Sequence, residues 1–504
     1  MNIALLLQMA AEAGPDRVGL SCEGTSWTYD DLYCAAKGAA AVFEQSQCDY
    51  VALLDESSEA AFIALFGAAI AGKPYVPLNY RLADEDLAAL LKRIRPAYLI
   101  GDIARASALT EKADSHHCIA RRAFVNEAVS AGATASGEEK PNDGIAAQIF
   151  TSGTTAAPKA ALLKHSNLLG YILGSVEFMA ATEDECALVS VPPYHIAGIS
   201  ALMSSCYAMR KIALLPSFTP EAWLDLAAGE RASNSFVVPT MLSRIIESLD
   251  AGYASDLSNL KAIAYGGGRM PPELIDRALE LLPTVNFTNA YGLTETSSTI
   301  ALLGPEEHRA AKSSSDPDVR ARLGSVGRAL PTVEIEVRDD EGKVLPPGER
   351  GEIYVRGEQV SGEYREKSAL TADGWFPTRD AGYMDAEGYL FLAGRADDVI
   401  VRGGENISPG EIEDVLELLP EVSDVAAVGI PSGEWGEAVG VAIVYKNGRA
   451  LSDDEICDIV RKRLRSSRVP ERVLTLKQLP YNEMGKLLRR EIKALFQDEL
   501  HAQS

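Results

Sequence analysis

The chain has 504 residues, with 72 acidic and 48 basic side chains and a formal net charge of −24. That length exceeds one ordinary core, so at least two domains are expected, and an apolar share of 47% supplies material for them. The acidic balance argues against nucleic acid or an anionic membrane surface as a partner; an anionic substrate would need local basic residues.

The first apolar run, Ile3 to Leu7, lacks a basic flank and is soon interrupted by Gln8, Glu12 and Asp16. It reads as an amphipathic helix, not a signal peptide. No stretch approaches membrane-span length; the most apolar, Ala60 to Ala71, stops at Lys73-Pro74. Seven cysteines are scattered without CxxC spacing, which fits reduced thiols in a cytoplasmic protein better than a zinc site.

The first half alternates strand-type runs with amphipathic helices, the rhythm of a layered α/β domain. Thr28-Tyr29-Asp30-Asp31 predicts a capping box opening a helix to about Phe43. There follow a strand over Tyr50 to Leu54, a helix over Glu59 to Ala71, a short strand over Tyr75 to Pro77, a helix over Asp84 to Ile94 and a strand over Ala97 to Ile100. Residues 131–144 are small, polar and Pro/Gly-bearing, and predict an exposed connection.

That connection leads to the most informative segment, Ile149-Phe150-Thr151-Ser152-Gly153-Thr154-Thr155-Ala156-Ala157-Pro158-Lys159. Four hydroxyls, a glycine and a lysine behind an apolar strand have the chemistry of a phosphate cradle. Hydroxyls and backbone N–H groups donate to phosphate oxygens, Gly153 allows close approach, and Lys159 supplies a compact positive charge. It is not the common P-loop, because Pro158 precedes the lysine and Ala160 follows it.

Downstream, conspicuous sequences fall just after predicted strands. Cys186 to Val191 leads to Pro192-Pro193-Tyr194-His195, Ser235 to Val238 to Pro239-Thr240, Lys261 to Tyr265 to Gly266-Gly267-Gly268, and Thr284 to Thr288 to Asn289-Ala290-Tyr291-Gly292. Ligands of α/β sheets bind outside the carboxyl ends of strands, so these loops predict one shared cleft.

From about Gly324 the pattern becomes short alternating runs around turns such as Asp339-Asp340-Glu341-Gly342 and Asp385-Ala386-Glu387-Gly388, an antiparallel, barrel-like portion. After Gly394-Arg395-Ala396-Asp397-Asp398 comes a smaller mixed segment. It predicts helices near Pro409 to Leu418 and Asp454 to Arg465, and strands near Ala426 to Gly429 and Val439 to Tyr445. The expected domains are 1–396 and 397–504.

The phosphate-loop sequence, Pro193-Tyr194-His195-Ile196-Ala197-Gly198, Tyr291-Gly292-Leu293-Thr294-Glu295, Gly351-Glu352-Ile353, Thr378-Arg379-Asp380, Gly394-Arg395-Ala396-Asp397 and Asn482-Glu483-Met484-Gly485-Lys486 occur in this order. Together they resemble the adenylate-forming superfamily of acyl-CoA synthetases, peptide-synthetase adenylation domains and luciferases. The resemblance implies an α/β fold: a large N-terminal domain of two layered subdomains plus a β-barrel-like one, and a small mobile α+β C-terminal domain. It also implies two half-reactions, in which a carboxylate attacks the α-phosphate of ATP and a thiol then displaces AMP.

The resemblance carries roles onto matching positions. Thr151, Ser152, Gly153, Thr154, Thr155 and Lys159 would hold the β- and γ-phosphates; Thr294 would contact the α-phosphate, and Glu295 would hold Mg²⁺ through a hard oxygen ligand. Tyr291, flanked by Asn289, Ala290 and Gly292, would stack on adenine, with Gly266, Gly267 and Gly268 leaving space beside the ring. Asp380 would accept from the ribose hydroxyls with Arg395 in support. Lys486 would bridge the substrate carboxylate and the α-phosphate. His195 would sit at the acyl pocket and is not assigned as a general base. Asp397 matches the hinge about which the small domain rotates.

Val401 to Glu413 resembles the acyl-CoA ligases, in which the position of Gly404 lines the pantetheine tunnel. The implied substrates are a small carboxylic acid, ATP and coenzyme A, with no nucleic-acid partner and no integral membrane segment; a homodimer is compatible with the sequence. Two other readings remain open at this point, a free-standing enzyme that loads a carrier protein and a non-catalytic nucleotide-binding relative. Pocket-lining segments are largely apolar or small, which favours a monocarboxylic acid with an apolar body, whether fatty, alicyclic or aromatic. Two departures stand out: Arg379 replaces the usual glycine between Thr378 and Asp380, and Ala156 replaces a glycine of the phosphate loop.

Overall fold

Apolar strand runs covered on both faces and helices with one apolar stripe can be satisfied only by layering, and the chain does so around separate sheets. The computed structural model describes residues 1–110, 116–133, 135, 144–151, 158–268, 270–395, 398–402, 405–432, 436–446, 450–464, 466–481 and 487–503. These fall into two compact units, Met1–Glu334 with Val355–Phe376, and Ile335–Tyr354 with Pro377–Ser504. The proposed break at Asp397 and most of the 131–144 connection lie outside the described residues.

The first unit holds two large sheets. In one, six strands run in the order His117–Ala120, Ala97–Gly101, Tyr50–Leu54, Tyr75–Pro77, Ile145–Thr151 and Lys159–Lys164. The other has nine strands, and a central parallel set runs in the order Asn286–Leu293, Ala262–Gly266, Asn234–Val237, Cys186–Val189, Lys211–Leu214 and Val18–Cys22. The helix Glu59–Ala71 is buried at every residue after Glu59, which explains why its composition is apolar all round. The expected capping box is present: Asp31 N–H donates to Thr28 Oγ1 at 3.1 Å, and Thr28 N–H donates back to Asp31 Oδ2 at 2.9 Å.

A four-stranded sheet orders Val333–Arg338, Gly351–Gly357, Phe376–Met384 and Leu390–Arg395. Its expected turns form at Gly342 and Gly388, whose φ angles are 81° and 83°. In the second unit the long hairpin Val422–Ser432 and Gly436–Tyr445 is extended by Ile400–Arg402, Glu405–Ile407 and Arg472–Thr475. Helices Pro409–Glu417 and Asp453–Arg463 pack on its apolar face through Ile412, Leu416, Ile456 and Val460.

Two boundaries differ instructively from expectation. The helix expected to reach Ile94 spans Asp84–Leu91, and the chain to Ile94 continues in tighter turns, with Arg93 N–H on Leu90 O at 2.9 Å and Ile94 N–H on Leu91 O at 3.1 Å. The strand expected to stop at Thr288 runs from Asn286 to Leu293. Beyond its parallel neighbour its backbone is satisfied by the antiparallel return Ser298–Leu303, with Tyr291 opposite Ala301. Tyr291 is therefore a strand residue, not a loop residue. Among the described residues no helix is long and apolar enough to cross a membrane.

Candidate active site

Parallel pairing puts the carboxyl ends of Asn286–Leu293, Ala262–Gly266, Asn234–Val237 and Cys186–Val189 on one edge of the nine-stranded sheet. The segments bearing Thr294-Glu295, Gly267-Gly268, Pro239 and His195 follow directly from that edge. The predicted common cleft edge is thus a consequence of strand register. Gly266 is required by close approach, since a Cβ there would lie 2.1 Å from the Ala290 carbonyl oxygen. Gly267 takes φ 81°, which a side chain tolerates badly. Tyr291 is buried, and the buried Asn289 donates from Nδ2 to Ser325 O at 3.0 Å.

Thr294–Thr296 forms one turn of 3₁₀ helix, followed by Ser297 and Ser298 at φ 57° and 125°. Such backbone is retained only when its surroundings fix it. Thr296 Oγ1 receives the Leu293 N–H at 2.9 Å, and the buried Gln359 donates from Nε2 to Thr296 O and Thr299 O at 3.1 and 2.7 Å. The Glu295 carbonyl accepts Ser361 N–H at 2.8 Å, and its carboxylate accepts Tyr364 O–H at 2.6 Å through Oε1. Lys159 Nζ lies 5.6 Å from the centroid of the same tyrosine ring. The expected metal carboxylate and the expected phosphate lysine are thus joined through Tyr364, which sequence reasoning missed.

Thr151 and Lys159 face each other as cross-strand partners at the end of the hairpin Ile145–Thr151 and Lys159–Lys164. Ser152, Gly153, Thr154, Thr155 and Ala156 lie outside the described residues. Ahead of Lys159, the Pro158 carbonyl accepts Arg93 Nη1 at 2.6 Å.

His195 precedes the helix Ile196–Tyr207, and its ring centroid lies 4.4 Å from that of Tyr194. Burial, with the nearby Arg81 charge adding to it, pushes its pKa down to about 4, so the ring is neutral at pH 7. Its Nε2 is buried without a hydrogen-bond partner among the described residues. A neutral imidazole with an unsatisfied nitrogen fits a pocket wall that meets a substrate, and it carries no positive charge with which to hold a carboxylate.

In the second unit, Asp380 and Arg395 are cross-strand partners, and Arg395 Nε lies 3.1 Å from Asp380 Oδ1. Arg395 Nη1 also donates to Thr378 O at 3.0 Å, and Asp380 N–H donates to Thr378 Oγ1 at 3.1 Å. The expected pairing of these two residues is therefore present. Arg379 sits at φ 63°, in the left-handed region, which accounts for the glycine the family pattern prefers there. Asp397, Gly404 and Lys486 lie outside the described residues. Tyr481 and Leu487 pair as an antiparallel bridge on either side of 482–486, and Leu488 N–H donates to Pro480 O at 2.8 Å.

The AMP-binding enzyme family model matches residues 7–365, and the AMP-binding enzyme C-terminal domain model matches 411–486. The chain belongs to the AMP-binding enzyme family. It is 30% identical to a fatty acid–[acyl-carrier-protein] ligase of Streptomyces coeruleorubidus, over 96% of this chain and 95% of that one. It is 31% identical to an indoleacetate–CoA ligase of Aromatoleum aromaticum, over 88% of each. Its fold superposes on o-succinylbenzoate CoA synthetase of Bacillus subtilis, solved with its acyl-adenylate intermediate, with a TM-score of 0.82, 28% identity and 97% of each chain covered. The same synthetase has been solved with ATP and a magnesium ion.

Tyr364 and Gln359 were missed because they occupy an irregular segment after the strand Gly351–Gly357, where no periodicity marks them. The one available signal was local: a tyrosine and a glutamine in a small-residue stretch, Val360-Ser361-Gly362, within a portion expected to line up against other strands.

Proposed function

We propose that this enzyme is a carboxylic acid–CoA ligase acting on a mainly apolar monocarboxylic acid, fatty, alicyclic or aromatic. The observation that supports the reading is the contact chain from Glu295 through Tyr364 to Lys159, in which one tyrosine meets both a buried carboxylate and the lysine that follows the phosphate loop. A carboxylate is a poor electrophile, whereas an acyl adenylate has AMP as a good leaving group. Adenylation brings two anions together, and fixed donors and cations must offset their repulsion.

The substrate carboxylate attacks the α-phosphorus, and pyrophosphate departs toward Thr151, Ser152, Gly153, Thr154, Thr155 and Lys159. Glu295, a buried hard-oxygen ligand, fits Mg²⁺, which typically takes one or two carboxylates together with substrate phosphates. Bound Mg²⁺ would supply charge neutralisation on those phosphates. Thr294 contacts the α-phosphate, Tyr291 stacks on adenine beside Gly266, Gly267 and Gly268, and Asp380 with Arg395 takes the ribose. Lys486 bridges carboxylate and α-phosphate. Rotation about Asp397, at the boundary between 1–396 and 397–504, then exchanges Lys486 for the Gly404 face, along which the pantetheine thiol reaches the acyl adenylate.

His195 contributes a neutral, buried wall to the acyl pocket. The same reading places the enzyme in the cytoplasm and allows a homodimer. A second reading, in which the thiol belongs to a carrier protein, is favoured by the likeness to the Streptomyces ligase across 96% of this chain. Side-by-side thioester assays with free coenzyme A and with a phosphopantetheinylated carrier protein test the choice. Faster transfer to coenzyme A supports the CoA reading, and transfer to the carrier alone overturns it.

A further inference from the structure

We infer that Tyr364 is a positioning residue that fixes the Glu295 carboxylate for the divalent cation and ties it to the phosphate hairpin. This rests on the ligase reading above, but the contacts that carry it are independent of the substrate.

The segment around Tyr364 is pinned on one side to the strand that leaves the phosphate loop. Tyr364 bridges Ala161 in antiparallel fashion, Leu162 N–H donates to Glu363 O at 2.9 Å, and Arg365 N–H donates to Ala160 O at 3.0 Å. Ser361 Oγ donates to Leu162 O as well. Its other side holds the turn that carries the metal carboxylate. Ser361 and Gly362 N–H donate to Glu295 O at 2.8 and 3.3 Å, and the Tyr364 hydroxyl reaches Glu295 Oε1 at 2.6 Å.

Glutamate has three side-chain torsions, and an unheld carboxylate at a metal site would lose that freedom only when the ion binds. The Tyr364 hydroxyl removes part of that freedom beforehand. It engages one carboxylate oxygen, and among the described residues no other side chain bonds to this carboxylate, so the second oxygen is available to a cation. The tyrosine ring meanwhile offers its face to the Lys159 ammonium. One side chain thereby sets the spacing between a cation that meets phosphate and a carboxylate that meets metal. Preorganisation of this kind raises ion affinity without adding a ligand.

Tyr364→Phe keeps the ring and the backbone pairing and removes only the hydroxyl. Mn²⁺ serves as the probe, its binding to the full-length protein in the presence of ATP read by electron paramagnetic resonance. Glu295→Gln is the reference for loss of the ligand itself, and thermal unfolding reports folding. The expected result is an Mn²⁺ affinity about tenfold weaker in Tyr364→Phe, in line with loss of a hydrogen bond to a charged group. The Mg²⁺ concentration for half-maximal acid-dependent pyrophosphate release should rise by a similar factor and recover at saturating Mg²⁺. Parental Mn²⁺ affinity in a folded Tyr364→Phe variant overturns the inference, as does a turnover loss that Mg²⁺ does not restore. A parent protein that binds Mn²⁺·ATP yet releases no pyrophosphate with any acid defeats the ligase reading and leaves the Mn²⁺ comparison to decide on Tyr364.

Discussion

The Arg489 guanidinium forks onto both carboxylate oxygens of Glu413, a residue buried to 3% exposure. The pair is fully engaged: Arg489 Nη1 also donates to Ala427 O at 2.7 Å, and Ala427 N–H donates to Glu413 Oε1 at 2.8 Å. Asp398 stands 3.7 Å from Arg489 Nε. This network joins the helix Pro409–Glu417, the hairpin strand Val422–Ser432 and the start of the terminal helix Arg489–Gln503. Removing one partner strands a buried charge, so Arg489→Met is expected to destabilise the second unit by about 3–5 kcal/mol. Replacing both partners, Glu413→Leu with Arg489→Met, should recover most of that loss. Denaturant unfolding of the three proteins checks the ordering; equal losses in the single and double variants would show that packing, not the stranded charge, sets the effect.

Arg379 occupies φ 63° with its backbone N–H on Glu352 Oε1 at 3.1 Å and its guanidinium Nε 3.8 Å from the same oxygen. The guanidinium is largely exposed, so the ion pair contributes little and the backbone conformation dominates. Two substitutions remove the same charge and differ only in conformational tolerance. Arg379→Gly is expected to stay within about 1 kcal/mol of the parent, and Arg379→Val to lose about 1–2 kcal/mol more than the glycine variant. Equal melting temperatures for the two variants would contradict this.

Much of the first unit was legible because its central strands are buried on both faces, as at Ala97–Gly101 and Cys186–Val189, and because one helix opens at a recognisable capping box, Thr28 with Asp31. The pairing of Asp380 with Arg395 was legible because the two were expected to serve one group, and they stand as cross-strand partners. The structure was illegible where a residue acts through a contact remote in sequence: Tyr364 lies 69 positions from Glu295, and Arg489 lies 76 from Glu413. The local sequence does not say which residues such side chains will meet, because burial and pairing are decided by the fold. The extension of the Tyr291 strand to Leu293 escaped notice for a related reason, since its pairing partner is a return strand whose register follows from the strained Ser297-Ser298 turn.

The neutral state of His195 has a pH signature. Its folded pKa, about 4, lies below the ordinary 6.5, so the unfolded chain takes up this proton first as pH falls. Stability from this group is therefore complete above about pH 6.5 and declines as pH drops toward 4, by about 3 kcal/mol in all. His195→Gln removes the titration and should flatten the stability profile over that interval relative to the parent. Parallel profiles for the two proteins would contradict the assignment.

Lys486 is proposed to act in only one half-reaction. Lys486→Ala should lower acid-dependent pyrophosphate release by roughly two orders of magnitude or more, as loss of a charge contact in the transition state does. Thioester formation from a supplied acyl adenylate should be nearly unchanged. Asp397→Pro should show the reverse pattern, adenylating normally while failing to transfer. Equal loss in both halves for Lys486→Ala would contradict the division of labour.

The central claim, that this enzyme activates an apolar monocarboxylic acid and passes it to coenzyme A, is met most directly by one measurement. A panel of fatty, alicyclic, aromatic and dicarboxylic acids is incubated with ATP, Mg²⁺ and coenzyme A, and AMP and acyl-CoA are quantified together. The account predicts equimolar AMP and acyl-CoA for at least one apolar monocarboxylic acid, with dicarboxylic acids poor. AMP release without acyl-CoA, or preference for a dicarboxylic acid, would contradict it.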